Sequence, residues 1–232
     1  MDLATSTVLV TGANRGFGRA LAIELLSRGA TVYAGARNPD QVDLPGAKPI
    51  PLDITDPASV AAAAQTTGDI TVLINNAGSA TGADLLTSGL DDIRLEMDTH
   101  YFGTLSMVRA FAPQIAANGG GAILNILSGL SWVSFPEVGA YCAAKSAAWS
   151  LTNALRVQLA DQGIRVAGLH VGYMDTDMAA SVTAEKSDPA DIARIAIDGI
   201  AAGAYEILAD NVSRQAQAAL AVGIPALYPQ LP

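Results

Sequence analysis

Short apolar stretches, many of them β-branched, alternate along this chain with longer stretches in which alanine dominates or apolar residues recur at helical spacing. Seven short stretches predict strands: STVLV at 6–10, ATVYAG at 30–35, KPIPLD at 48–53, ITVLIN at 70–75, GAILNIL at 121–127, IRVAGLH at 164–170 and YEILA at 205–209. Helices are predicted between and after them at 16–29, 57–67, 89–117 with room for a break, 139–161, 188–202 and 211–221. This alternation is that of βαβ units, whose strands lie parallel with helices packed on both faces. The expectation is one α/β domain over residues 1–232, built on a doubly wound, seven-stranded parallel sheet. One stretch stands apart. VGYMDTDMAASVTAEKSD at 171–188 follows a strand and has no periodicity, which makes it the candidate substrate loop, because open α/β sheets bind ligands beyond the carboxyl ends of their strands.

Composition narrows the partners. Half of the 232 residues are hydrophobic and only 15% are charged, enough apolar material for one sizeable core. The 22 acidic residues exceed the 13 basic ones, and the net charge of −9 opposes binding to nucleic acid or to an anionic membrane surface; no basic stripe offsets it. No apolar run reaches the length needed to span a bilayer. The opening MDLATSTVLV lacks a basic segment followed by a long apolar one, so the expected location is cytoplasmic. A lone Cys142 has no partner for an internal disulfide or a cysteine metal site, reads as a small core residue, and fits a reducing compartment. No metal is expected.

The first predicted strand runs directly into a glycine-rich turn and an amphipathic helix, in VLVTGANRGFGRALAIELLSRGA. Gly12, Gly16 and Gly18 allow a tight turn, close backbone approach to a pyrophosphate and close packing of helix on strand, while the helix N-terminus attracts the anion. Their spacing is G-x-x-x-G-x-G, not the commoner G-x-G-x-x-G. The second strand ends in VYAGARN, where an acidic residue would bind the ribose diol of NAD. Ala36 and Arg37 stand there instead. An arginine at that point accommodates the 2′-phosphate of NADP(H), and Arg15 in the glycine turn offers a second guanidinium. Both arginines also admit a reading as plain surface residues.

In YCAAK at 141–145, Tyr141 and Lys145 lie one helical turn apart, and Lys145 is one of only three lysines, with Lys48 and Lys186. Such a pair either shields apolar surface with wet polar tips or does chemistry. The glycine turn, LINNAG at 73–78, ILNILS at 123–128 and YCAAK, in that order, resemble the short-chain dehydrogenase/reductases of the compact type over nearly the whole chain. The resemblance implies a Rossmann-like fold and a set of roles. Tyr141 would be the proton donor in carbonyl reduction and the base in alcohol oxidation. Lys145 would lower the pKa of that tyrosine and bind the nicotinamide ribose. Ser128 would polarise the carbonyl.

By the same resemblance the dinucleotide would be held by Gly12, Asn14, Arg15, Gly16, Phe17 and Gly18, by Arg37, and by Asp53 and Ile54 near the adenine. Asn76, Ala77 and Gly78 would follow along the ribose, with Gly172, Met174 and Thr176 at the carboxamide end. Two departures stand out. Val171 replaces the family's proline before Gly172 in HVGYMDTDM, a tolerable change that frees the loop somewhat. His100 in THYFGT stands where the family has an asparagine that supports a proton relay. An imidazole can donate and accept, so His100 either continues the relay or merely reshapes a helix contact. His170 reads as structural.

The reading that follows is an NADPH-dependent carbonyl reductase acting on a small ketone, aldehyde or alcohol. An oxoacyl-carrier-protein reductase is a subtype, disfavoured by the scarcity of basic residues for an acidic carrier, and a non-catalytic NADP(H)-sensing regulator is the alternative from a different class. Trp132, Val133, Phe135, Pro136, Tyr173 and Met178 are candidates for the substrate wall. The family commonly forms homodimers or homotetramers through the helices near 97–117 and 139–161.

Overall fold

A computed structural model describes residues 1–231. The strands are β1 (Thr7–Thr11), β2 (Thr31–Ala36), β3 (Lys48–Pro51), β4 (Val72–Asn75), β5 (Gly121–Ile126), β6 (Ile164–His170) and β7 (Glu206–Leu208), all parallel in the order β3-β2-β1-β4-β5-β6-β7. The helices are α1 (Gly16–Ser27), α2 (Pro57–Thr66), α3 (Leu90–Met97), α4 (Thr104–Ala117), α5 (Gly139–Gln158), α6 (Pro189–Ala202), α7 (Asn211–Val222) and a short α8 (Ile224–Leu227). All seven predicted strands are present, and each predicted helix appears within a few residues of its expected bounds.

Residue alternation explains the three layers. In β1, Val8 and Val10 face the cluster shared with Leu21 and Leu25 of α1 and Ile197 of α6, while Leu9 faces Met107 and Phe111 of α4 and Leu155 of α5. The same division separates Val72 and Ile74 from Leu73 in β4, and Leu124 from Ile123 in β5. Strands buried on both faces must be apolar at successive positions, and that is why these four-residue to six-residue runs carry so few polar side chains. Helix starts are set locally. Asp56 and Asp188 cap α2 and α6 by accepting the N–H of Ala58 and Ala190 at 2.9 and 2.8 Å, and Pro57 and Pro189 occupy the first helical positions.

The predicted helix over 89–117 is broken, and the break has a specific form. Residues Asp98–Gly103 form a π turn between α3 and α4, with His100 inside it and buried. Each flanking helix keeps its own apolar spacing, which is why periodicity leaves only room for a break; π turns are frequent at functional sites. Strand order reverses between β1 and β4, so β1 runs outward to β2 and β3 on one side and β4 to β5, β6 and β7 on the other. A crevice at the carboxyl ends of β1 and β4 is the ligand-binding position of such a sheet.

Candidate active site

The turn after β1 is built for close approach. Gly12 and Gly16 have φ of +68° and +52°, in the left-handed region that favours glycine. A Cβ on Gly18 would lie 2.2 Å from the Gly12 carbonyl oxygen and 2.5 Å from Asn76 Nδ2, so the start of α1 can pack here only as glycine. Arg15 at the N-cap makes no side-chain hydrogen bond to α1, whose first N–H groups are left to other acceptors. These features fit a dinucleotide pyrophosphate. Asn14, Arg15 and Gly16 line the solvent side of the turn, whereas Phe17 is buried against the sheet and serves packing.

β4 delivers the next set. The hydroxyl of Thr11 accepts the N–H groups of Asn76 and Ala77, both at 2.9 Å, and Asn76 Nδ2 donates to the Thr11 carbonyl at 2.8 Å. The end of β4 is thereby clipped to the glycine turn, and Asn76, Ala77 and Gly78 come beside it. Arg37 is exposed just beyond β2, and its charge acts on Asp53. The Asp53 carboxylate is held below its ordinary range, chiefly by the Thr55 hydroxyl against the opposing effect of burial. Ile54 is buried beside Gly103. Arg15 reaches across to Asp177 at 3.3 Å, with both side chains exposed.

At the far side of the sheet, Ser128 follows β5. Its Oγ accepts the Leu130 N–H at 3.0 Å, which leaves its own hydrogen free to donate. Tyr141 and Lys145 share one face of α5, with Nζ 5.4 Å from the centre of the tyrosine ring. Lys145 is buried and donates to the Ile126 carbonyl at 2.9 Å. Burial pulls its pKa down to about 8, opposed by the charge of Glu96. His100 packs edge-on against Tyr141, ring centres 5.2 Å apart. Ser128, Tyr141, Lys145 and His100 therefore meet, as the sequence predicts.

The chain's own groups push the Tyr141 hydroxyl up, burial first and the Glu96 charge next, with Ser128 the one neighbour opposing them. Burial disfavours the phenolate, and a cation nearby favours it.

A glycine turn, an asparagine clip, and a serine, tyrosine and lysine thus converge on the carboxyl end of one sheet. The family model described as short chain dehydrogenase matches residues 6–187. The chain belongs to the short-chain dehydrogenases. Its relatives in that family include the NADPH-dependent 1-acyldihydroxyacetone phosphate reductase of Schizosaccharomyces pombe, 34% identical over 182 residues, with 75% of this chain and 61% of the relative covered. A dehydrogenase/reductase SDR family protein 7-like of Anopheles gambiae is 32% identical, with 73% and 59% covered. The match thus spans about three fifths of the length of these curated relatives. A solved short chain dehydrogenase from Burkholderia cenocepacia J2315, in complex with NADP, superposes with a TM-score of 0.95 at 36% identity, covering 100% of this chain and 99% of that one.

Within this short-chain dehydrogenase frame, the loop after β6 is held by bonds along its length, with Val171 where the family has a proline. The Val171 carbonyl accepts the Gly129 N–H at 3.2 Å, the Gly172 N–H donates to Asp210 Oδ2 at 2.6 Å, and Met174 pairs with Ser187. Asp210, which also caps α7, ties this loop to the start of that helix. Thr176 is half-buried beside Gly16.

Trp132 is corrected. It is buried and stacked on His170, centres 3.7 Å apart, and so belongs to the interior; Phe135, Tyr173 and Met178 remain exposed. His170 Nδ1 meets the Ser128 carbonyl at 2.9 Å, and its Nε2 meets Glu206, which also pairs with Arg156 at 2.6 Å. That network props the backbone of Ser128. Glu96, Asp210 and Glu206 are the residues sequence reading missed; only Glu96 left a signal, its four-residue spacing from His100.

Proposed function

We propose that the protein is an NADPH-dependent carbonyl reductase, and the observation that carries this reading is the convergence of Ser128, Tyr141 and Lys145 beside the glycine turn. The bound nicotinamide supplies the hydride. The Ser128 hydroxyl donates to the substrate oxygen, which its bond from Leu130 leaves it free to do. Tyr141, held in its protonated form, gives that oxygen its proton. Lys145 keeps two N–H groups beyond its bond to Ile126 for the ribose hydroxyls.

NADPH is preferred over NADH because Arg37 follows β2 with no carboxylate at its end, and Arg15 is within reach if its exposed pair with Asp177 opens. The similar structure from Burkholderia cenocepacia in complex with NADP and the NADPH-dependent reductase from Schizosaccharomyces pombe support the same choice. Exposed Phe135, Tyr173 and Met178 favour a substrate with an apolar portion. No described helix is long and apolar enough to cross a membrane, and we read the protein as cytoplasmic, where buried, unpaired Cys142 stays reduced.

The test is consumption of NADPH and of NADH against aliphatic, aromatic and acyl-thioester ketones. A preference for NADPH of at least about tenfold in kcat/KM on some member is expected. Equal use of both cofactors would remove the role given to Arg37.

A further inference from the structure

One buried carboxylate has no part in the mechanism above. Glu96, on the last turn of α3, is fully buried, and among the described residues its ion-pair partner is His100, Oε2 to Nε2 at 3.3 Å. Its Oε1 accepts the Thr81 N–H at 2.5 Å and its Oε2 accepts the Ser79 hydroxyl at 2.8 Å. Burying a carboxylate is costly, and a packing role is filled more cheaply by an apolar side chain. Here the carboxylate is kept ionised at about 2, because bonds from His100, Thr81 and Ser79 outweigh a burial effect that alone would raise it.

His100 is the ring on which this carboxylate acts. Its Nε2 faces two acceptors, the Ser79 carbonyl at 2.9 Å and Glu96 Oε2 at 3.3 Å; the one donor nearby, the Ser79 N–H, stands off at 3.4 Å. Two closer acceptors place the ring proton on Nε2 and leave Nδ1 as the basic nitrogen. The site is shaped around the ring. A Cβ on Gly78 would lie 2.8 Å from its Cε1, and Tyr141 meets it edge-on at 87°.

We propose that Glu96 is a positioning residue for the reduction: it fixes the proton of His100 on Nε2, so that Nδ1 is the proton-accepting nitrogen behind Tyr141 and Lys145, and it supplies the buried negative charge that balances the Lys145 ammonium. This rests on the carbonyl-reductase reading. Electrostatics agree with it, since Glu96 is the charge that opposes the effect of burial on Lys145 and acts on Tyr141 after burial. Burial and the Lys145 charge lower the His100 pKa, against bonds to Glu96 and Ser79 that raise it, which favours the neutral ring. The groups around the pair are few. α5 presents Tyr141 and Lys145, the loop over 76–83 presents the hydroxyls of Ser79 and Thr81 and no ionisable side chain, and Cys142 and Tyr173 act further out on Tyr141.

The first test needs no substrate. The chain has two histidines, so NMR of the whole protein labelled with 15N-histidine reads both, and the signal lost in His100→Asn is that of His100. At pH 7 the neutral Nε2–H tautomer is expected in the natural protein and is lost in Glu96→Gln. An Nδ1–H tautomer in the natural protein overturns the proposal by itself, whether or not Glu96→Gln folds and whether or not a ketone is turned over. In kinetics, Glu96→Gln should lower kcat at least about tenfold, with the KM for NADPH within about twofold, and move the alkaline limb of the pH profile down by roughly one unit. In the His100→Asn background the same change should lower kcat by less than about threefold. Equal losses in both backgrounds would show that Glu96 does not act through His100, and an unmoved alkaline limb would show that it does not balance the Lys145 ammonium; either result overturns the proposal.

Discussion

At the scale of single residues, the protonation of Lys145 decides the working range. Its charged form is the protonated one, and burial brings the pKa from the ordinary lysine value down to about 8, with Glu96 limiting the fall. Below that pH the ammonium is present for the roles proposed for it, binding the ribose and supporting Tyr141; above it the charge is lost. Reduction measured as kcat/KM for NADPH should therefore be level up to about pH 8 and decline above it, and a profile level through pH 10 would contradict the assignment. The residue types of this centre were legible before any coordinates, because Ser128, Tyr141 and Lys145 carry chemistry that few other side chains offer. The strength of the burial that raises Tyr141 was not legible, since it depends on how far the phenol is desolvated, and neither was the inward turn of Trp132 onto His170.

Among elements, the strands were readable as short, bounded, β-branched apolar runs and the helices by their period of 3.6 and the Asp, Pro and Gly at their ends. The π turn that seats His100 was not, for it preserves the apolar stripe on both sides of the break. Nor was the clamp from Asp210 to Gly172, a contact between residues 38 positions apart. The packing of α1 on β1 gives the sharpest test at this scale. Gly18→Ala places a methyl 2.2 Å from the Gly12 carbonyl oxygen, a backbone atom that cannot swing aside. Urea unfolding should show a loss of about 1–3 kcal/mol, together with weaker NADPH binding. A variant of unchanged stability and affinity would mean that the turn has more freedom than its geometry indicates.

For the whole molecule, the adjacency and common direction of β1, β4, β5 and β6 put the glycine turn, the clip from Asn76, Ser128 and the loop after β6 at the carboxyl end of the sheet, which is how four short motifs far apart in sequence come together. The other faces are not silent. Phe102, in the π turn, and Val157, on α5, are 54% and 79% exposed on the helices through which self-association was expected. Light scattering coupled to gel filtration should find a dimer or tetramer, and Val157→Glu should shift it toward monomer if α5 forms the interface. A monomer at micromolar concentration would assign those side chains another role. The central claim concerns chemistry, however, and Tyr141→Phe tests it most directly, because it removes one oxygen and leaves the ring contact with His100. NADPH consumption on the best ketone should fall by about 10²–10⁴-fold, while the Kd for NADPH, read by fluorescence, stays within about twofold. Turnover retained in that variant would contradict the assignment of Tyr141 as the proton donor, and with it the account given for the site.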